Sequence, residues 1–295
     1  MVESKRTKVL FLDIDEVFTT SGKASERRVR PETVMRLTAL RASGYDKLAF
    51  ITARSGNWVM EEFMPYVKKA GLMGVSTFQC ENGLYEIANG KFVLSREAEA
   101  FAPYRKIIAK AVDAELKAKG VKGSNASEKA GKVVQVRYTP DDKAHAKALG
   151  EACQIAVNKL KKAGKISAVI EAEITKSGVN IYPRTMNKGV AARQMEARIQ
   201  QQTGRKIRGK AIGDKPLEDG LMASGKRIKW RGVNNADEFM KMTAQWIRPG
   251  VERANVNEYL KKVDAQRSFS KVGRPRVPGI MKKLRQKRAT QPRRR

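Results

Sequence analysis

Apolar residues along this chain fall first into short unbroken runs and then into helical stripes, and the two kinds alternate. That alternation predicts an α/β protein. Val9-Leu10-Phe11-Leu12 is a run with no polar break, the signature of a strand buried on both faces in a parallel sheet. Pro31 opens a stripe of Val34, Leu37 and Leu40 that Gly44 closes, which predicts a helix. Leu48-Ala49-Phe50-Ile51 predicts a second buried strand. Ser55 stands where a cap is expected for a helix bearing Trp58, Val59, Phe63 and Val67 and stopping near Gly71. Residues 75–79 predict a third strand. Asn89-Gly90, between the β-like runs 84–88 and 91–94, predicts a hairpin.

The pattern changes at about residue 95. A polar amphipathic helix over 96–119 leads to a loop rich in Gly, Ser and Asn. A strand over 133–138, a helix from Asp141 or Asp142 to Gly164, and strands over 166–174 and 179–182 complete a small α+β unit on an antiparallel sheet. The α/β alternation then resumes. A helix runs from Lys188 to just before Gly204, a strand ends at Ala211-Ile212-Gly213-Asp214, a short helix follows Pro216, residues 227–230 are extended, and a helix spans 237–247. The expected architecture is an α/β fold with a Rossmann-like parallel-sheet core in residues 1–94 and 185–250. An α+β domain is inserted at 95–184, with a linker helix at 251–265 and a basic disordered tail at 266–295.

Composition narrows the functional classes. An apolar content of 41% over 295 residues builds a full core. Cys80 and Cys153 are the only cysteines and His145 the only histidine. A disulfide framework, a histidine-based zinc site and a Ser-His-Asp triad are therefore not expected. No apolar run approaches membrane-span length, and the first residues carry no leader pattern. The expectation is a cytoplasmic protein with no membrane partner. The charge is the unusual feature. Lys and Arg number 61 against 30 Asp and Glu, a net +31. Residues 266–295 hold twelve Lys/Arg and no acid, so the first 265 residues still carry 49 − 30 = +19. A field of that size attracts polyanions, and the tail is expected to hold nucleic acid through phosphates.

The candidate chemistry sits where the apolar runs stop. The first strand runs straight into Asp13 and Asp15. Ligands of open α/β sheets lie at the carboxyl ends of strands, so this pair either serves a divalent cation as nucleophile and acid/base, or caps the next turn. Thr52 ends the second strand, Lys188 begins a helix, and Asp214 closes the last strand with Glu218 and Asp219 just behind.

Taken in this order, the four signals resemble the four motifs of haloacid dehalogenase-like phosphohydrolases, over about residues 7 to 248. Phe11-Leu12-Asp13-Ile14-Asp15-Glu16-Val17 resembles the first motif and Ile51-Thr52-Ala53-Arg54-Ser55 the second. Asn187-Lys188-Gly189 resembles the third, and Gly213-Asp214-Lys215-Pro216-Leu217-Glu218-Asp219 the fourth. Cys80-Glu81-Asn82-Gly83, the hairpin and the inserted block resemble the Cof-type branch, whose insert is a cap over the site. That branch includes sucrose-phosphate, mannosyl-phosphoglycerate and phosphoglycolate phosphatases. The resemblance implies an Mg²⁺-dependent phosphomonoester hydrolase acting on a sugar phosphate or another small phosphorylated metabolite. Asp13 is the implied nucleophile and Asp15 the acid/base. Thr52, Ala53, Arg54 and Lys188 are the implied phosphate-binding set. Asp13, Asp15, Asp214 and Glu218 or Asp219 are the implied metal-binding set. Phosphatase action on nucleotides or nucleic-acid ends is the alternative, as is a nucleic-acid-binding protein on the same scaffold. Two residues depart from the pattern: Glu16 stands where glycine is common, and Leu217-Glu218 where Asn-Asp is common.

Overall fold

The computed structural model describes residues 6–20, 28–42, 44–175, 177–214, 220–223 and 228–232. Two sheets organise them. The larger is built from β1 (Thr7–Leu12), β2 (Lys47–Ile51), β3 (Ser76–Cys80), β4 (Tyr85–Ala88), β5 (Lys91–Leu94), β10 (Ile207–Gly213) and β11 (Ile228–Gly232), in the order β11-β10-β1-β2-β3-β4-β5. The first five in that order run parallel, and β4 and β5 turn back as the hairpin expected around Asn89-Gly90. The apolar run of β1 is fully buried from Val9 to Leu12, as a central parallel strand requires. The chain leaves β1 toward β2 on one side, while β10 arrives on the other. The sheet order therefore reverses at β1, the kind of switch point at whose carboxyl end ligands of open α/β sheets bind.

Helices α1 (Thr33–Ala42), α2 (Gly56–Trp58), α3 (Met64–Lys69) and, late in the chain, α7 (Lys188–Thr203) belong to this sheet. An aromatic cluster fills one side of the core: Phe50 stacks on Phe78 at 5.2 Å and meets Phe63 edge-on at 5.1 Å. The helix expected after Ser55 is interrupted. A π turn at Val59–Phe63 separates α2 from α3, and Ser55 occupies the cap position without a side-chain capping bond. Pro65 at the start of α3 has no N–H to continue the ladder.

The smaller sheet is antiparallel, in the order β6 (Gly123–Asn125), β7 (Val136–Pro140), β9 (Gly178–Pro183), β8 (Ile170–Thr175). It comes with α4 (Arg96–Phe101), α5 (Arg105–Lys119) and α6 (Ala146–Lys162). Four details differ from the sequence reading, the first being that the strand expected over 166–174 begins only at Ile170. Pro103 breaks the helix expected over 96–119 into α4 and α5, with a 3-10 turn at Ala102–Tyr104 between them. Gly123–Asn125, expected as loop, pairs with β7. The strand expected at 133 begins at Val136, because the N–H groups of residues 133–135 donate to the side chain of Glu81, directly after β3, instead.

Among the described residues no helix is long and apolar enough to cross a membrane. The short helix after Pro216, the helix over 237–247, the linker helix over 251–265 and the tail over 266–295 lie outside the described residues, apart from a 3-10 turn at Gly220–Ala223.

Candidate functional site

Because β1, β2 and β10 run parallel and in register, their carboxyl ends meet on one edge. Leu12 faces Ile212 on one side and Phe50 on the other, and the Asp13 N–H extends the ladder to the Ile212 carbonyl at 2.9 Å. Asp13, Thr52 and Asp214 are the next residues along three adjacent strands.

Asp13 is 2% exposed, and its Oδ1 lies 2.9 Å from Lys188 Nζ, itself 4% exposed. Lys188 reaches it because α7 starts there. The Asn187 side chain accepts from the N–H groups of Gly189 and Val190 at 2.9 and 3.0 Å, an N-cap that fixes the first turn. Two ions out of water need each other, so this pair is held strongly in place.

Asp15 meets a second cation. Arg54 Nη2 lies 2.7 Å from its Oδ1, and Nε reaches both carboxylate oxygens at 3.0 and 3.1 Å. The guanidinium also lies over Trp58, 4.4 Å from the ring centroid. This fork geometry fixes the Asp15 side chain. Arg54, expected on the phosphate, holds a carboxylate of the protein in this structure. Glu16, next along, has φ +56°, a left-handed conformation in which glycine is the default, and its N–H is taken by Thr19 Oγ1 at 2.9 Å. Glycine being common here thus has a backbone reason, and glutamate accepts the same conformation at some cost.

Thr52 is buried. Its N–H donates to the Gln79 carbonyl at 3.0 Å, its carbonyl accepts from the Asn82 N–H at 2.9 Å, and its hydroxyl oxygen accepts from the Arg54 N–H at 3.1 Å. The Arg54 carbonyl accepts from the Glu81 N–H at 3.0 Å. The Ala53 carbonyl accepts from Lys132 Nζ at 2.6 Å, a residue of the smaller unit.

The structure thus brings Asp13 against Lys188 and Asp15 against Arg54, with Thr52 and Ala53 beside Arg54 and half-buried Asp214 at the end of the strand next to Asp13. Glu218 and Asp219 lie outside the described residues. The oxygen donors are of the hard, carboxylate kind that Mg²⁺ takes, and Asp13 and Asp214 follow the adjacent strands β1 and β10. Among the described residues no group of three or more His, Cys, Asp or Glu side chains is arranged to hold a metal ion. The sequence reading missed Lys132 altogether and saw Glu81 only as part of a motif.

No protein-family model matches the chain, and no curated protein matches it in sequence. Solved structures do match in shape. An IMP-nucleotidase of Plasmodium falciparum superposes with a TM-score of 0.55 at 15% identity, over 81% of this chain and 61% of that one. The chain thus spans about three-fifths of that protein's length. A trehalose-6-phosphate phosphatase related protein superposes with a TM-score of 0.53 at 15% identity, over 80% and 96% of the two chains. Trehalose-6-phosphate phosphatase of Aspergillus fumigatus gives 0.53 at 11%, over 82% and 93%. At such identities the likeness is one of fold: an α/β arrangement of a parallel-rich sheet with a separate antiparallel sheet.

Proposed function

We propose that the chain is an Mg²⁺-dependent phosphomonoester hydrolase that works through an aspartyl-phosphate on Asp13, with a sugar phosphate or similar small metabolite as substrate. The observation that supports this best is the buried Asp13–Lys188 pair at the carboxyl end of the central strand. A carboxylate in that position is costly unless it has a task or a partner. Here it stands at the topological switch point, where ligands of such sheets bind.

Asp13 Oδ attacks phosphorus, and the bond from phosphorus to the ester oxygen breaks as Asp15 gives that oxygen a proton. Asp15 then takes a proton from the water that hydrolyses the acyl phosphate, releasing inorganic phosphate and regenerating Asp13. Arg54 orients Asp15 for both transfers. Lys188 offsets the charge that nucleophile and phosphoryl oxygens bring together, and Thr52 and Ala53 form the loop that receives those oxygens. The Asp13 carboxylate, the Asp15 carbonyl and Asp214, together with Glu218 or Asp219, would hold Mg²⁺, which would supply further charge compensation. The insert closes over the site as a Cof-type cap and selects the substrate.

A second reading has an observation of its own. The net charge of +31 exceeds what a small anionic metabolite requires, and one structural relative is an IMP-nucleotidase. Nucleotides or phosphorylated nucleic-acid ends are the substrate class this favours, with the tail at 266–295 as a nucleic-acid-binding arm. A non-catalytic nucleic-acid-binding protein on the same scaffold is the limiting case. The deciding experiment is a hydrolysis screen with Mg²⁺ over sugar phosphates, nucleotides and 3′-phosphorylated oligonucleotides. It runs beside DNA and RNA anisotropy at about 50 and 200 mM salt, where phosphate contacts lose orders of magnitude in affinity. Turnover confined to sugar phosphates supports the first reading. Tight, salt-sensitive nucleic-acid binding with no turnover on any substrate overturns it.

A further inference from the structure

The feature that the mechanism leaves unexplained is Glu81. It is fully buried, directly after β3, and holds φ +49°, a left-handed conformation that glutamate seldom adopts. Its carboxylate is satisfied almost wholly by the smaller unit. Oε1 accepts from the Val133 N–H at 2.7 Å and from the Tyr85 hydroxyl at 3.2 Å. Oε2 accepts from the N–H groups of Val134 and Gln135 at 3.2 and 2.8 Å. Three successive backbone N–H groups thus form a nest around one anion. Gln135, also fully buried, returns a side-chain hydrogen bond to the Glu81 carbonyl at 3.4 Å.

The same loop reaches the candidate anion-binding segment. Lys132 precedes the nest, and its Nζ donates to the Ala53 carbonyl at 2.6 Å. Gly131 comes so close to the core that a Cβ there would lie 3.1 Å from Ser55 Oγ. The carbonyls of Thr52, Ala53 and Arg54 are therefore taken in turn by Asn82 N–H, Lys132 Nζ and Glu81 N–H. The orientation of these peptide groups is set from outside the segment, and the middle one depends on the insert.

We propose that residues 131–135 are a clamp through which the insert shapes the Thr52–Arg54 segment for an anionic phosphoryl group, with Glu81 as its anchor and Lys132 as the positioning residue. The clamp rests on the phosphatase reading for the identity of that anion, and on the geometry alone for its existence. Lys132 adds a hydrogen-bond donor to the segment that carries Arg54. Burial pushes its ammonium below the ordinary lysine value, Arg137 and Arg54 push the same way, and the Glu81 carboxylate opposes the fall only in part. Losing the insert's contacts thus removes the restraint on the loop, so closure of the insert and occupancy of the site favour each other.

The test uses the full chain and three variants: Lys132→Met, Lys132→Arg and Glu81→Gln. Inorganic phosphate binding is read by calorimetry, p-nitrophenyl phosphate kinetics by KM and kcat, and backbone protection by hydrogen exchange. Lys132→Met keeps the wild-type unfolding midpoint within a few degrees and weakens phosphate binding by about tenfold or more, the loss expected for one hydrogen bond from a charged donor. Its KM rises more than its kcat falls, and Lys132→Arg restores most of the affinity. Glu81→Gln speeds exchange about tenfold or more in peptides covering both 131–136 and 52–55. Wild-type phosphate affinity in folded Lys132→Met, or exchange at 52–55 unchanged in Glu81→Gln, overturns the proposal. If the wild type neither hydrolyses esters nor binds phosphate, the phosphatase reading fails by itself. The clamp then stands or falls on whether both variants loosen residues 52–55.

Discussion

Replacing Lys188 by methionine tests the centre of the site, and the structure sets the size of the effect. Lys188 Nζ and Asp13 Oδ1 are 2.9 Å apart, and the two side chains are only 4% and 3% exposed. At that distance, with an effective dielectric of about 20, the gross attraction is about 6 kcal/mol, most of which offsets the desolvation of the two ions. Removing the cation keeps the desolvation cost of Asp13 and loses the attraction, so the expected destabilisation is about 3–5 kcal/mol. At about 2–4 °C per kcal/mol for a domain of this size, the unfolding midpoint drops by roughly 6–20 °C. Asp13→Asn leaves the ammonium in the same position and destabilises for the mirror-image reason. The double variant Asp13→Asn/Lys188→Met buries neither ion and should be more stable than the two single losses predict, with a coupling of about 1–3 kcal/mol. Circular dichroism melts of all four proteins measure this. Turnover of p-nitrophenyl phosphate with Mg²⁺ separates stability from chemistry: Asp13→Asn abolishes it, Lys188→Met lowers it about 10²–10³-fold, and the double variant does not recover. If Lys188→Met melts within about 2 °C of wild type and the single effects add, the pair is not the buried ion pair described here.

Three further outcomes are expected. Asp15→Asn lowers turnover about 10²–10⁴-fold on a poor leaving group, and a loss below about tenfold removes it from the acid/base role. EDTA inactivates the wild type, and Asp214→Ala shifts the Mg²⁺ requirement upward in a titration of activity; full activity in EDTA takes the cation out of the mechanism. Burial pushes the Cys153 thiol from its ordinary value of 9.0 up to about 12, with Asp113 adding to the rise, and it likewise raises the Tyr45 phenol from 10.0 to about 12 against a lowering by Arg208. A raised folded value means that the stability these groups contribute is full below their unfolded values and is lost as pH climbs toward 12. Unfolding by urea should therefore ease between about pH 9 and 12, and a thiol reagent at pH 8 should label Cys80 and Cys153 only after denaturation.

The parts of the fold legible in the sequence are those with a local cause. Val9 to Leu12 and Leu48 to Ile51 read as buried strands because nothing polar interrupts them, and both are interior strands of the parallel sheet. Asn89-Gly90 read as a hairpin because Asn89 and Gly90 supply the positive φ the turn needs, +52° and +72°. Asp13, Thr52 and Asp214 were found by the same logic, since a strand end is visible as the place where an apolar run stops. The pairing of Arg54 with Asp15 was not visible. Both stand at strand ends, and which of two anions a guanidinium faces, a carboxylate 39 positions earlier or an incoming phosphate, is decided by geometry that no period records.

The clamp was beyond pattern reading for a sharper reason. Val133-Val134-Gln135-Val136 has the composition of a strand, and local preference alone extends β7 through it. What stops the strand at Val136 is Glu81, more than fifty positions away, whose buried charge draws in the three N–H groups that a ladder would otherwise use. Yet one local signal was available. An ionisable residue placed directly after a buried strand has to find donors, because an unsatisfied carboxylate there costs several kcal/mol. One larger-sheet donor meets part of that demand: the Tyr85 hydroxyl reaches Oε1. The remaining demand is met by the insert, so the buried charge at the end of β3 links the two sheets at the side of the site where Thr52, Ala53 and Arg54 lie.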